Sequence, residues 1–245
     1  MHELIRMNGY RKDNVVKNRT RRTGLLFWGI VFLGAMMLTG CMGPASQPEI
    51  QYYALAYQKP DVTLRPTLPV SIRINSVQTT SFYHTSRMAW ATSPYNRGLY
   101  NYYYWEDSAD KLLRTYVMRS IAEGQMFSDM ITAESTTPSR FALTLFLDEF
   151  LEMDRGSERY AVVSFMATLE WESDNIPSRM GQTGRFVVFQ KNYQVETPLQ
   201  GKTLTALAQG MSQSVFRATQ ELQKDLYNKI TTALLDSPPP APVRK

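Results

Sequence analysis

The tetrapeptide Leu38-Thr39-Gly40-Cys41, which ends a basic and then apolar leader, constrains this chain most strongly. The first 23 residues carry seven Lys and Arg residues, and the apolar stretch Gly24–Leu38 is shorter than the roughly 20 residues that span a bilayer. Small residues followed by a cysteine at this place are typical of a bacterial lipoprotein signal, in which the leader is removed and the cysteine is lipidated. We therefore expect residues 1–40 to be a signal peptide and the fold to form within residues 41–245.

Cys41 is the only cysteine of the chain, which excludes disulfides, cysteine-based zinc sites and a thiol nucleophile. A thioether-linked lipid suits a single cysteine in an oxidising compartment, and several acyl chains hold a protein stably on a membrane. The alternative interpretation is an uncleaved anchor whose cysteine is incidental. Met42 follows the cysteine in place of the Asp that commonly retains lipoproteins in the inner membrane. We therefore expect a lipid anchor at Cys41 in the outer membrane of a Gram-negative bacterium, with the domain facing the periplasm.

The net charge of +5 suggests a partner of negative charge, but the excess lies in the leader. Seven of the 27 basic residues and two of the 22 acidic residues precede Cys41, which leaves 20 of each. No basic surface of the kind that nucleic-acid binding needs is therefore expected in the mature chain.

Apolar periodicity predicts the secondary structure of the mature chain. The predicted order is strands at Tyr52–Tyr57 and Val70–Val77, two short strands within Phe82–Trp105, a helix at about Asp107–Glu123, strands at Phe141–Met153, Arg159–Trp171 and Thr183–Val195, and a helix at about Thr203–Leu235. The buried stripes are predicted to comprise Leu112, Leu113, Tyr116, Val117, Ser120 and Ile121 on the first helix, and Leu204, Leu207, Met211, Val215, Leu222, Leu226, Ile230 and Leu234 on the second.

Runs of strands with one helix between them and one at the end are typical of the α+β class. We predict a single domain at residues 51–236, with a mainly antiparallel sheet and two helices packed on one face. The three long strands are expected to form an antiparallel meander. Residues 41–50 are predicted to be a flexible tether, and the Pro-rich residues 237–245 a disordered tail.

The residues needed for enzymatic chemistry are sparse. His84 is the only histidine after Cys41, and no Gly-x-Ser-x-Gly turn accompanies it. Gly201-Lys202-Thr203 is similar to the end of a phosphate-binding loop, but Glu196 stands where the first glycine is needed, so Thr203 is interpreted as a helix cap. We therefore expect no catalytic residues, no cofactor and no metal.

The densest acidic group is Asp148, Glu149, Glu152 and Asp154. Strand alternation would place Asp148, Glu152 and Asp154 on one face. A calcium site there is the alternative to a solvated rim at the end of a strand, and we favour the rim.

The stretch Phe82–Trp105 holds nine aromatic residues among its 24, interleaved with Arg87, Arg97 and Asn101. Tyr and Trp are amphipathic groups that suit a protein interface or the lipid at a membrane surface, and they also fill strand cores. Tyr102 and Tyr104 point opposite to Tyr103 and Trp105, so one set can be core while the other is exposed. The candidate partner or lipid contacts are Arg87, Trp90, Tyr95, Arg97, Tyr102 and Tyr104.

Four features in this order resemble the ABC-type transport auxiliary lipoproteins, which accompany MCE-type lipid-transport systems in Gram-negative envelopes. They are Tyr52-Tyr53-Ala54-Leu55 soon after the cysteine, then Arg87-Met88-Ala89-Trp90 with Ser93-Pro94-Tyr95 and Tyr102-Tyr103-Tyr104-Trp105, a helix stop at Glu123-Gly124-Gln125-Met126-Phe127, and a strand core before a long amphipathic helix. The helix stop looks like the "ASGLF" pattern of that family. The longer tyrosine run and the Pro-rich tail depart from it.

The resemblance implies a non-catalytic accessory lipoprotein of a lipid transport system between the inner and outer membranes. Its partners would be an MCE-type periplasmic protein and the ABC permease and ATPase complex, with ATP hydrolysis left to other subunits. The family has no established catalytic residues, so only Cys41 transfers as a site. The alternative is a structural lipoprotein of a secretion or envelope-assembly machine. Whether the protein forms a homo-oligomer is left open by the sequence.

Overall fold

The computed structural model describes residues 48–60, 66–172 and 186–236. The elements in these ranges are β1 (Gln51–Tyr53), β2 (Leu68–Ile74), β3 (Gln78–Thr79), β4 (Arg87–Ser93), β5 (Asn96–Trp105), α1 (Ala109–Gly124), β6 (Phe127–Thr132), β7 (Phe141–Asp154), β8 (Arg159–Trp171), β9 (Phe186–Pro198) and α2 (Leu204–Asp236). The predicted signal peptide, Cys41, most of the tether and the tail lie outside the described residues. From Glu49 onwards the described residues belong to one compact unit.

Strand β7 organises the sheet because both of its edges are paired. Along one edge it pairs antiparallel with β8 from Phe141 to Asp154, and β8 pairs antiparallel with β9. These pairings confirm the predicted meander. Along the other edge β2, β3 and β4 follow one another, each parallel to β7.

The prediction of a mainly antiparallel sheet is wrong, because the nine strands of the described ranges form a mixed sheet. Besides the three strands parallel to β7, β1 runs parallel to β5 and β6 runs parallel to β2. Parallel neighbours need a long connection, and α1 lies within the connection between β2 and β6. The alternation of apolar residues along a strand does not reveal which distant strand it pairs with. The prediction therefore assumed that strands adjacent in sequence pair as antiparallel hairpins.

Both helices bury the stripes that their periodicity predicts. All six residues predicted for α1 are buried, and so are six of the eight predicted for α2, while Leu204 and Leu234 pack partly buried against the core. Helix α1 ends at Gly124 as predicted, with Gln125 in the left-handed conformation at φ 47°. Helix α2 lies close to β8, because a Cβ on Gly210 would come within 3.2 Å of Ala161 Cβ.

Direct contacts between the two helices show that they lie on the same side of the sheet. Gln223 Nε2 on α2 donates to the Ser120 carbonyl on α1 (2.7 Å) and to its hydroxyl (3.0 Å). On the sheet side of α2, Ser214 Oγ donates to the Ala161 carbonyl (3.0 Å) and is 2.7 Å from Thr197 Oγ1. These satisfied polar groups fix the position of α2 within an otherwise apolar core.

The first predicted strand, Tyr52–Tyr57, is a strand only at its beginning. After Tyr53 the chain leaves the sheet and crosses the helices, where the Ala56 N–H donates to Ser212 Oγ (2.9 Å) and the Gln58 N–H to Tyr116 Oη (3.2 Å). The backbone groups that a longer strand would pair thus find side-chain partners instead.

At the end of this segment the Tyr57 ring lies under the Arg119 guanidinium, whose central carbon is 3.9 Å from the ring centroid. Its hydroxyl donates to Glu123 Oε2 (3.1 Å). Burial, and then the hydrogen bond to Glu123, raise the pKa of Tyr57 to about 12.

Candidate interaction surface

Strands β4 and β5 form a hairpin whose tip projects Tyr95 into solvent. Ser93 and Asn96 pair at the end of the ladder, and Pro94 and Tyr95 make the turn between them. The Tyr95 side chain is 98% exposed, and its N–H donates to Ser93 Oγ (3.3 Å). An aromatic ring this exposed contributes little to folding, and it presents a rigid amphipathic group to a partner.

Arg97 stands beside the tip on β5. Its guanidinium is 3.6 Å from Glu149 Oε1 on β7, and about a third of its side chain is exposed. An ion pair at this distance and exposure is a weak constraint. Arg97 can therefore turn its charge to a partner at small cost to the fold.

Arg87 is engaged within the hairpin. The register of β4 against β5 shifts between Arg87 and Ala89. The guanidinium fills the irregularity by donating to the Tyr100 carbonyl (2.8 Å), the Leu99 carbonyl (3.3 Å) and Asn101 Oδ1 (2.6 Å). Arg87, predicted as a contact residue, lies where it holds the bulged part of β5 in place.

Trp90 lies half-buried over Gly98 of the neighbouring strand. A Cβ on Gly98 would come within 2.6 Å of Trp90 Cζ2, so only glycine leaves room for the indole. The structure thus places Trp90, another predicted contact residue, in a close fit within the hairpin.

The outer face of the β1–β5 edge carries a group that we call the tyrosine patch: Ile50, Tyr52, Tyr102 and Tyr104. Tyr52 pairs with Tyr104 in the parallel register, and their ring centroids are 5.6 Å apart. Tyr102 precedes Tyr104 by two residues within the bulged part of β5, and Ile50 immediately precedes β1, so both lie at the same sheet edge as the Tyr52–Tyr104 pair. Tyr52 is 69% exposed, Ile50 51% and Tyr102 42%, whereas Tyr104 is half-buried.

The inner face of the same strand is core, as the predicted alternation requires. Trp105 is buried and meets Phe150 edge-on at 5.4 Å. Tyr100 has the parity of Tyr102 and Tyr104, yet it packs against the core, because the bulge of β5 between Leu99 and Tyr104 breaks the alternation. Its hydroxyl donates to Glu152 Oε2 (2.9 Å), and burial raises the pKa of Tyr100, with the Glu152 carboxylate adding to the effect. One aromatic segment thus serves the core on one face and solvent on the other.

The acidic group on β7 is divided by a bulge. The register against β8 shifts between Leu147 and Glu149, so the prediction that Asp148 shares a face with Glu152 and Asp154 is wrong. Glu152 is 2% exposed and pairs with Arg159 (2.9 Å), which also lies 3.2 Å from Asp154. Among the residues that the structure describes, no group of three or more His, Cys, Asp or Glu residues could hold a metal ion.

The groups considered for catalysis are dispersed. His84 is more than half exposed, and its Nδ1 is 3.7 Å from Asp110 Oδ2. Thr203 Oγ1 accepts from the Ala206 N–H (3.1 Å), which confirms its prediction as the cap of α2. Glu196, at the place of the missing phosphate-loop glycine, pairs with Arg155 at 2.9 Å.

Comparison with known proteins shows the fold. No protein-family model and no curated protein match the chain. A solved structure from Xanthomonas campestris, of the family DUF330, matches with a TM-score of 0.66 and 17% identity over 76% of this chain and 99% of that chain. An uncharacterised protein matches with a TM-score of 0.55 and 13% identity over 73% of this chain and 99% of its own. At these identities the likeness shows a shared architecture alone.

Sequence reasoning missed two members of the tyrosine patch, Ile50 and Tyr52. Both precede β5 by about fifty residues, and they join Tyr102 and Tyr104 only through the parallel pairing of β1 with β5. No pattern in the sequence predicts that pairing.

In the part of the chain that the structure describes, no helix is both long and apolar enough to cross a membrane.

Proposed function

We propose that this protein is a non-catalytic accessory lipoprotein of an MCE/ABC-type lipid transport system. Lipidation at Cys41 would anchor it in the outer membrane with the domain in the periplasm. Tyr95 at the tip of the β4–β5 hairpin, together with Arg97 beside the tip, would contact an MCE-type periplasmic partner. ATP hydrolysis would belong to other subunits of the system.

The exposed hairpin tip carries the geometric part of this proposal. Of the six predicted contact residues, Tyr95 is the most exposed, and Arg97 beside it lies 3.6 Å from Glu149 and interacts with the Tyr83 hydroxyl. Arg87 and Trp90, by contrast, are occupied within the hairpin. Tyr and Arg are among the residues in which the binding energy of protein interfaces is concentrated.

The sequence and the fold support the assignment to a transport system. The lipoprotein signal and the ordered motifs from Tyr52 to Phe127 resemble the ABC-type transport auxiliary lipoproteins. The Xanthomonas protein of the family DUF330 has a similar fold, which is compatible with that resemblance. His84 pairs with Asp110 on the same domain and Glu196 pairs with Arg155, and these partners within the fold support a non-catalytic role.

The anchor is tested by metabolic labelling with an alkyne fatty acid. Wild-type protein should take up the label and fractionate with the outer membrane, whereas Cys41→Ser should do neither. Equal labelling of the two proteins would refute the anchor.

The partner contact is tested by co-purification with the MCE protein encoded beside the gene. Tyr95→Ala should weaken capture by about 2 kcal/mol, roughly 30-fold, if the ring is an interface hot spot. Val187→Ala on β9 is the matched control, since Val187 is 59% exposed and distant from the hairpin. Undiminished capture with Tyr95→Ala would overturn the role of the tip, and capture of secretion components in place of an MCE protein would overturn the transport assignment.

A further inference from the structure

We infer that the tyrosine patch is a membrane-contact surface, by which the domain rests on the zwitterionic phospholipids around its own anchor. The inference rests on the lipid anchor of the proposed function and adds to it an orientation of the domain. The surface that we assign to lipid contact is distinct from the hairpin tip.

The patch occupies the beginning of the described domain. Ile50 and Tyr52 belong to the first residues that the structure places, and eight residues separate Ile50 from Cys41. The nine steps along the chain from Cys41 to Ile50 span at most about 30 Å in any conformation. A lipidated Cys41 would therefore keep the patch within about 30 Å of the bilayer surface, so that even a weak contact would be populated by tethering.

The chemistry of the patch suits the interfacial region of a bilayer. Three tyrosines present a ring and a hydroxyl, which is the combination enriched where acyl chains meet headgroups. The face opposite to these side chains carries buried Trp105, so the patch lies on the outer side of the sheet edge. Since Tyr52 and Tyr104 already contact each other, the patch enters an interface without first ordering its side chains.

The charges around the patch indicate which lipid it would meet. Two acidic residues flank the strand segments of the patch in sequence, Glu49 before Ile50 and Glu106 after Trp105, while Arg87 lies opposite Tyr104 and keeps its charge, because it donates to carbonyls and to the neutral Asn101. With two acidic residues and one cation at its border, the patch has no net positive charge to attract an anionic surface. We therefore expect contact with zwitterionic lipid, independent of the anionic fraction.

The experiment uses mature lipidated protein in vesicles of phosphatidylcholine and phosphatidylethanolamine. Because Cys41 is the only native cysteine, a cysteine introduced elsewhere can be labelled alone with an environment-sensitive fluorophore. Tyr102→Cys and Tyr52→Cys report on the patch, and Val187→Cys on the far edge strand is the control. Both native tyrosines are well exposed, so neither substitution removes core packing.

Spin-labelled lipids with the quencher near the headgroup should reduce fluorescence at positions 52 and 102 and leave position 187 bright. Replacing part of the zwitterionic lipid with phosphatidylglycerol should not strengthen the quenching. Unquenched labels at 52 and 102, on protein that floats with the vesicles, would overturn the inference and leave the anchor intact. Equal quenching at position 187 would overturn it too, since the domain would then have no preferred face.

Two further outcomes separate the possible occupants. If labels at 52 and 102 stay bright with lipid but become protected when the MCE partner is added, the patch binds protein and the inference is wrong. The inference is equally wrong if protection rises with the concentration of the protein itself, because the patch would then bind a second copy of the chain. Protein that fails to float with the vesicles would refute the lipid anchor, and with it this inference.

Discussion

Strands β5 and β8 are both long and rich in apolar side chains, yet they lie in different surroundings. β8 is paired over its whole length on both edges and is covered by α2, so that Phe165, Ala167 and Leu169 are inaccessible to solvent. β5 pairs with β4 on one edge and meets only the three residues of β1 on the other. Its tyrosines are consequently divided between the core and solvent.

The comparison teaches that aromatic content does not locate the core. A side chain is buried where a neighbouring strand or a helix packs over it. Which strand or helix does so depends on contacts between segments that are distant in sequence. Where cover ends, as at Tyr102, the same residue type becomes available for contact. The substitutions below test this distinction by measuring how strongly the fold depends on each region.

The largest effect is expected from Phe165→Ala on β8. The ring is fully buried and stacks on Tyr193 at 5.3 Å between centroids. Its removal leaves a cavity that the surrounding strands cannot fill, so the free energy of unfolding should fall by about 3–5 kcal/mol. Urea unfolding followed by circular dichroism measures the loss, and a change below about 1 kcal/mol would contradict the assignment of β8 to the rigid core.

Arg87→Met should have the next largest effect, because it removes the groups that hold the bulge of β5. The methionine keeps the apolar stem but loses the hydrogen bonds to the Leu99 and Tyr100 carbonyls and to Asn101. Loss of hydrogen bonds from a charged donor should cost about 1.5–3 kcal/mol of stability. Arg97→Met is the matched control and should cost about 1 kcal/mol or less; equal losses would show that Arg87 is no more structural than Arg97.

Gly98→Ala should destabilise by about 1–3 kcal/mol through overpacking against Trp90. The added methyl would lie 2.6 Å from the indole, which must move to accommodate it. Combining the change with Trp90→Leu should recover part of the loss, since residues in direct contact are energetically coupled. Strictly additive effects in the double variant would argue against the close fit.

The smallest effect is expected from Tyr102→Ser in the tyrosine patch. Because Tyr102 lies on the exposed face of an edge strand, the free energy of unfolding should change by no more than about 0.5 kcal/mol. The melting temperature should match that of the wild type within error. A loss of about 2 kcal/mol or more, on the scale of core truncations, would mean that the patch is part of the core and would remove the contrast with β8.

Local patterns predicted the elements of this fold well where one side of an element is buried along its length. The stripe from Leu112 to Ile121 on α1 and the three strands of the meander appear in the structure with small shifts at their ends. Periodicity reports burial of a face, and these elements bury one. Strands β3 and β6 escaped prediction because they are short and partly exposed.

The contact residues could be predicted only as a set. Sequence reasoning gathered Arg87, Trp90, Tyr95 and Arg97 because aromatic and basic residues alternate there. The structure separates them: Tyr95 stands free at the tip, whereas Arg87 and Trp90 fill an irregular register. A register shift in a hairpin depends on the exact fit of side chains such as Trp90 on Gly98, which composition does not reveal.

By itself the sequence determined the local properties of the chain: the leader and Cys41 that predict its anchor, the neutral charge of the mature part, and the faces of its main helices and strands. These follow from residues close together, because signal processing, helix capping and amphipathic alternation act over a few turns or a few residues. Only the tertiary structure decided that β1 lies parallel to β5, that the sheet is mixed, and that Ile50 and Tyr52 join Tyr102 and Tyr104. Those outcomes depend on which strand edges, distant in sequence, pair with each other. The free energy that favours one pairing over another is distributed over the whole core, and no single motif supplies it.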